Sequence, residues 1–200
     1  MSGRAMEWRY RILESPTGAF ILAQSSEGEL RTGWAGGWSD DPVDEAEWLY
    51  LLPGGLVEDA ALLPELAARI ERFFAGKAVS FVDVPTPTGS AFQVACWDAC
   101  RAIPRGETIT YGELAERAGS ASTAARAAGQ SMRRNPLPII VPCHRVVGSQ
   151  GVHGFAGSDD PASESVAVKQ WLLAMEGART IVAATVKPFE HRGLASVAEK

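Results

Sequence analysis

Residues 110–136, TYGELAERAGSASTAARAAGQSMRRNP, carry the reading on which the fold turns. Thr110 can cap a short helix over 111–118 that stops at Gly119, and Ser122 can cap a second over 123–134 that ends at Asn135-Pro136. Two short helices joined by a tight Gly-containing turn have the outline of a helix-turn-helix, and an ordinary helical hairpin has the same outline. The second helix is unusual in composition. Ala124-Ala125-Arg126-Ala127-Ala128-Gly129 sets one long cation among side chains small enough to let the backbone approach a neighbouring surface closely. That shape suits packing through alanines. It also suits crossing the narrow groove of a duplex, with the arginine filling the gap left by an extruded nucleotide. Burying Arg126 without a partner would be costly, which weighs against plain packing. Arg133 and Arg134 stand at the end of the same helix as candidate phosphate contacts.

Downstream of the hairpin, the apolar run Ile139-Ile140-Val141 leads into Pro142-Cys143-His144-Arg145-Val146. A cysteine at the end of a buried segment can be fixed in space and still face a cleft. A neighbouring imidazole can help form the thiolate, the species that attacks carbon. A half-buried structural cysteine beside a loop histidine is the plainer alternative. Upstream, residues 90–103 read as an amphipathic helix with Ser90 as N-cap, closed by Pro104 and Gly106. A final helix over 166–176 carries Val168, Trp171, Leu172 and Met175 on one face, and 181–186 (IVAATV) reads as one more strand.

The N-terminal part has a different texture. Residues 7–13, 18–24 and 29–35 read as short strands separated by turns at Pro16-Thr17-Gly18 and Glu27-Gly28, and 61–75 has apolar positions at helical spacing. Residues 82–89 (VDVPTPTG) read as a linker, since X-Pro steps favour extended chain. The chain is therefore expected to be α+β. A small N-terminal sheet-plus-helix domain spans 1–85, a mainly helical domain with the helix pair and Cys143 spans 86–177, and a tail follows over 178–200.

Composition narrows the class. With 200 residues, 46% hydrophobic and 22% charged, this is globular-protein composition with enough length for a real core. No apolar stretch approaches a membrane span, and the N-terminus lacks the apolar core of a secretory signal. Three cysteines without zinc-ligand spacing point to the reducing cytoplasm rather than to a disulfide framework. The net charge of −5 argues against a uniformly basic nucleic-acid binder, but its distribution is uneven. Residues 1–90 carry 7 basic and 14 acidic groups, whereas 91–145, leading up to Cys143, carry 7 arginines and 4 acids. A locally basic surface on an acidic protein can still meet phosphate.

Taken together, Thr110-Tyr111-Gly112-Glu113-Leu114-Ala115, Ala125-Arg126-Ala127-Ala128-Gly129, Asn135-Pro136 and Ile140-Val141-Pro142-Cys143-His144-Arg145-Val146-Val147-Gly148 resemble the O6-alkylguanine-DNA alkyltransferases. The order and spacing match from about residue 92 to 157 and again over 169–177 (KQWLLAMEG). The sheet-rich first half is similar in outline, and the resemblance implies a ribonuclease-H-like fold for it. The resemblance also implies roles. Cys143 would accept the alkyl group in one in-line displacement after base flipping, on O6-alkylguanine with O4-alkylthymine as a second candidate, and the protein would be consumed. His144 would take the thiol proton, Glu176 would orient that histidine, Asn135 would brace the turn and Tyr111 would protonate the departing base. Arg126 would be the finger in the duplex, with Ala125, Ala127, Gly129 and Arg133 on the DNA-facing helix. Met132, Pro138, Val146, Phe155, Ala156 and Gly157 would wall the base pocket. The implied partner is double-stranded DNA carrying alkylated bases; no cofactor and no membrane are expected, and a monomer is the default.

Two departures stand out. After His153-Gly154-Phe155-Ala156-Gly157 comes a longer, acidic stretch, Ser158-Asp159-Asp160-Pro161-Ala162-Ser163-Glu164-Ser165. Its acids would repel phosphate, or would start the last helix with Ser158 or Ser163 as cap. The N-terminal half has neither Cys nor His, so the zinc set of some relatives is missing and no metal is expected. Two other functions remain open at this point: a damage sensor that binds alkylated bases without transfer, and a cysteine hydrolase using Cys143 and His144.

Overall fold

Strand-forming residues dominate the start of the chain, and they pair as their alternation suggests. The computed structural model describes residues 6–35, 52–149, 151–152 and 163–178, and the chain divides between Val79 and Ser80 into two units. In the first, β1 (Glu7–Leu13), β2 (Phe20–Ser25), β3 (Leu30–Trp34) and β4 (Gly55–Glu58) form one sheet in the order β3-β2-β1-β4. The two hairpins are antiparallel, with Leu13 opposite Phe20 and Phe20 opposite Trp34, while β4 runs parallel to β1. Helix α1 (Pro64–Phe74) begins later than its apolar spacing suggests, because Leu63 turns the chain at φ 44° and Pro64 opens the helix. Phe20, Trp34 and Phe74 meet edge to face, with ring centroids 4.9, 5.2 and 6.3 Å apart. Trp34 Nε1 donates to Thr17 Oγ1 at 2.8 Å, which ties the first hairpin turn to that aromatic cluster.

The second unit holds α2 (Ala91–Arg101), β5 (Ile109–Thr110), α3 (Tyr111–Arg117), α4 (Ala125–Arg133), β6 (Val146–Val147) and α5 (Glu164–Met175). Ser90 caps α2 and Thr110 caps α3, each in a full capping box completed by Gln93 and Glu113. Trp97 Nε1 donates to Ser131 O at 2.9 Å and fixes α2 against α4. The segment read as a linker lies instead along α2. Arg101 donates to Phe81 O at 2.6 Å and to Thr86 Oγ1 at 3.1 Å, and Phe81 and Val84 are buried. The α+β character therefore comes from a sheet-rich first unit and a helix-rich second one.

Three local expectations are corrected. Ser122 caps nothing: it opens a 3-10 turn, Ser122–Ala124, and α4 follows from Ala125. Helix α5 starts at Glu164, with the Ser163 hydroxyl accepting from Val166 N at 3.4 Å, so Ser163 is the cap and Glu164 sits in the first turn. Its buried face is Val166, Val168, Lys169, Leu172 and Leu173, while Trp171 and Met175 are only half-buried. The expected strand over 181–186 and the tail lie outside the described residues.

Candidate functional site

The approach to Cys143 is built by a rigid turn. Asn135 Oδ1 accepts from Leu137 N at 3.0 Å and Asn135 Nδ2 donates to Val141 O at 2.8 Å, so one side chain clamps both ends of the apolar run. Inside the clamp, Val141 N donates to Leu137 O at 2.8 Å and Ile139 is held at φ 73°. A β-branched residue in left-handed geometry is strained, and it persists only where its surroundings over-determine it. The chain then enters a 3-10 turn, Cys143–Arg145, and passes into β6. Strand β6 runs parallel to β5, with Ile109 opposite Val146 and Thr110 opposite Val147. Tyr111 follows β5 directly, so this short ladder fixes its place relative to the cysteine turn.

Around that turn the ionisable groups are buried and interlocked. Cys143 is 9% exposed and His144 1% exposed. His144 Nε2 lies 3.3 Å from Glu176 Oε2, at the C-cap of α5. Arg145 grips the same carboxylate through both oxygens, donating from Nε to Oε2 at 2.9 Å and from Nη2 to Oε1 at 2.7 Å. Its remaining nitrogen, Nη1, donates to Ile103 O at 2.7 Å. Burial alone would raise the Glu176 carboxyl, but hydrogen bonds from His144 and Arg145 and the Arg145 charge overcome it and hold the group at about 2. Burial pushes His144 down; Glu176 opposes this, while the charges of Arg145 and Lys169 reinforce it. The imidazole therefore rests neutral beside an ionised carboxylate.

The thiol is protonated at rest. Burial pushes Cys143 up, against hydrogen bonding from Asn135, the Lys169 charge and the backbone amides of Cys143 and His144. Lys169 is fully buried on α5, and burial lowers its ammonium to about 8, opposed by its electrostatic coupling to the ionisable thiols Cys143 and Cys100. Its Nζ lies 5.7 Å from the centroid of the Tyr111 ring. A third thiol, Cys100, is buried on α2 within the electrostatic reach of Cys143 and Lys169. A protonated thiol, a neutral imidazole and a fixed carboxylate are the groups that a proton-accepting relay for sulfur attack requires.

The other expected residues fall in several places. Helix α4 leaves Arg126, Ala127 and Arg133 exposed and Ala125 half-exposed, while Ala128 and Met132 are buried. Gly129 lies against Tyr111, so that a Cβ added there would sit 3.8 Å from the ring carbon Cδ1. Val146 is fully buried in β6 and Pro138 is half-exposed within the clamped run. Phe155, Ala156 and Gly157 lie outside the described residues, as does most of the acidic stretch. Sequence reasoning gave no role to Arg145 or Lys169. Arg145 lies inside the cysteine motif itself, and Lys169 shows only as a lysine among apolar neighbours at helical spacing. Among the described residues, no three His, Cys, Asp or Glu side chains gather in a way that could hold a metal ion, and no helix is long and apolar enough to cross a membrane.

Comparison with known proteins bears on this arrangement. The family described as 6-O-methylguanine DNA methyltransferase, DNA binding domain, matches residues 91–178. A methylated-DNA--protein-cysteine methyltransferase of Methanosarcina acetivorans is 38% identical over 84% of this chain and 97% of its own. A namesake from Mycobacterium leprae is 44% identical over 74% of this chain and 83% of its own. The crystal structure of Mycobacterium tuberculosis OGT in complex with DNA superposes with a TM-score of 0.65 at 29% identity, covering 84% of this chain and 92% of that one. With that identity sustained over most of both chains, and with the buried cysteine motif at its centre, this chain belongs to the methylated-DNA–protein-cysteine methyltransferase family.

Proposed function

We propose that the protein repairs alkylated DNA by moving an alkyl group from O6 of a guanine onto Cys143. The observation that carries this reading is the buried turn in which a protonated thiol is followed in the chain by a neutral imidazole that meets an ionised carboxylate at 3.3 Å. His144 takes the thiol proton, and Cys143 Sγ forms a bond to the alkyl carbon as the bond from that carbon to O6 breaks. Tyr111 donates its phenolic proton to the base as the leaving oxygen gains charge, and regains a proton as His144 releases its own. In sum, the thiol proton ends on guanine and the alkyl group on sulfur. A thioether is stable, so each molecule acts once. Asn135 holds the cysteine turn in line, and Lys169 supports the forming thiolate with a buried positive charge.

The base reaches such a site only outside the duplex, and α4 is the element suited to hold the opened strand. Arg126 takes the place of the flipped nucleotide, and Ala125, Ala127 and Gly129 keep the helix slim enough to enter the groove. Arg133 adds a phosphate contact. Met132, Pro138 and Val146 wall the base. We place the protein in the cytoplasm as a monomer, with its three free thiols suited to a reducing compartment.

The test is a single-turnover assay with a duplex carrying one labelled O6-methylguanine. The expected result is transfer of one label per protein, with no second turnover and no transfer by Cys143→Ala. Duplex binding without transfer would instead make the protein a damage sensor, and neither binding nor transfer would remove both DNA readings.

A further inference from the structure

Resting on the relay proposed above, we infer that Arg145 is a positioning residue for the transfer, locking Glu176 so that His144 stays uncharged until the thiol proton arrives. The geometry is specific. Both carboxylate oxygens are taken by one guanidinium at 2.9 and 2.7 Å, and the third donor reaches Ile103 O at 2.7 Å, just beyond α2. The planar fork matches a carboxylate in a way an ammonium cannot. Oε2, which accepts from Arg145 Nε, is also the oxygen 3.3 Å from His144 Nε2, so the fork fixes the carboxylate that the imidazole meets. The Glu176 side chain is wholly buried and Arg145 is 13% exposed there, so solvent screens the pair little.

A second clamp holds the backbone beneath the carboxylate. Arg105 Nη2 donates to Met175 O at 3.1 Å, and Gly106, at φ 80°, lets the chain approach so closely that an added Cβ would lie 3.0 Å from Glu176 O. The 103–106 turn thus secures both the side chain, through Arg145, and the main chain of Glu176.

The charges facing His144 are those of Glu176 and Lys169 from α5 and its C-cap and of Arg145 on its own turn; Cys143 precedes it in the chain, and Cys100 on α2 interacts electrostatically with Cys143, Arg145 and Lys169. Without Arg145, the carboxylate would be balanced by His144 alone. The His144–Glu176 pair would then take up a proton at higher pH, and the base would be occupied before the thiol could use it. With Arg145, the carboxylate is already compensated. It can orient the imidazole and stabilise the imidazolium as it forms, without drawing a proton from solvent first.

The experiment uses the full-length protein with Arg145→Met, Arg145→Lys, Glu176→Gln and the Arg145→Met/Glu176→Gln double variant. Proton uptake by the pair is followed by NMR of the imidazole and carboxyl signals, and transfer by single-turnover rate against pH on an O6-methylguanine duplex. In Arg145→Met the pair should take up its proton at least about one pH unit higher, and transfer at pH 7 should fall about tenfold with duplex affinity unchanged. Arg145→Lys should restore the proton-uptake midpoint but only part of the rate, because one ammonium cannot hold both oxygens. With Glu176→Gln in place, Arg145→Met should change little further. A folded Arg145→Met with wild-type proton uptake and pH profile would overturn the inference. If Arg145→Met does not fold, Arg145→Lys decides alone, and wild-type transfer by it overturns the lock. Failure of the wild-type protein to place the methyl group on Cys143 would remove the relay reading itself, a result visible before any Arg145 variant is compared.

Discussion

At the residue scale, Lys169 carries the sharpest consequence. Its ammonium is among the influences that lower Cys143 against the dominant upward push of burial. Lys169→Met removes that charge, so the thiol should ionise at higher pH. Alkylation of Cys143 by iodoacetamide, followed against pH, should show its midpoint moved upward, and transfer to the protein at neutral pH should slow several-fold. An unchanged midpoint would remove Lys169 from the account. Tyr111→Phe separates a different step, since it leaves the ring against Gly129 and Lys169 but takes away the phenolic proton. Transfer should fall by roughly ten- to a hundred-fold with little change in duplex affinity. Cys143 and His144 were legible as a pair because adjacency and the apolar run before them are local facts. Glu176 was legible only through the family resemblance. Arg145 and Lys169 were not legible, because their partners lie 31 residues away in sequence for Arg145 and in separate elements for Lys169. A lysine in a helix normally means solvent, and only the fold shows it buried.

At the element scale, the site depends on two short turns more than on long helices. Asn135 secures the strained run before the cysteine, and Asn135→Ala would release both Leu137 N and Val141 O. That variant should lose about 2 kcal/mol of stability, measured by urea unfolding, and slow transfer as the turn loosens. Gly106 sits at φ 80° against the last turn of α5. Gly106→Ala should therefore lower the thermal midpoint and slow transfer together, since the displaced element carries Glu176. Caps were the most readable part of the sequence. Ser90 and Thr110 each had the complementary residue three positions on, a signal written entirely in local chemistry. Ser122 lacked that partner, and the structure spends it on a 3-10 turn. Strand β4 was not anticipated: Gly55–Glu58 is short and mostly exposed, and it owes its form to pairing with β1 rather than to an alternating pattern.

At the scale of the whole molecule, buried charge ties stability to pH. The folded values of His144 and Glu176 both lie below the ordinary 6.5 and 4.5, so the unfolded chain binds these protons first as pH falls. Their contribution is complete above about pH 6.5. It begins to be lost below that value as His144 protonates in the unfolded chain. It falls further below 4.5, until Glu176 is protonated in the folded state near pH 2. Thermal melts from pH 7 to 3 should show this decline, and it should be smaller below 4.5 in Glu176→Gln. Duplex binding should weaken with added salt, as the exposed arginines of α4 release counterions from phosphate. The uneven charge of the sequence made that surface visible, while the net value of −5 obscured it.

Alkyl transfer to Cys143 is tested most directly by the intact mass of the protein after incubation with an O6-methylguanine duplex, followed by peptide mapping. The expected result is a stoichiometric gain of one methylene, confined to the peptide containing Cys143 and abolished in Cys143→Ala. A gain on Cys96 or Cys100, or no gain despite duplex binding, would contradict it.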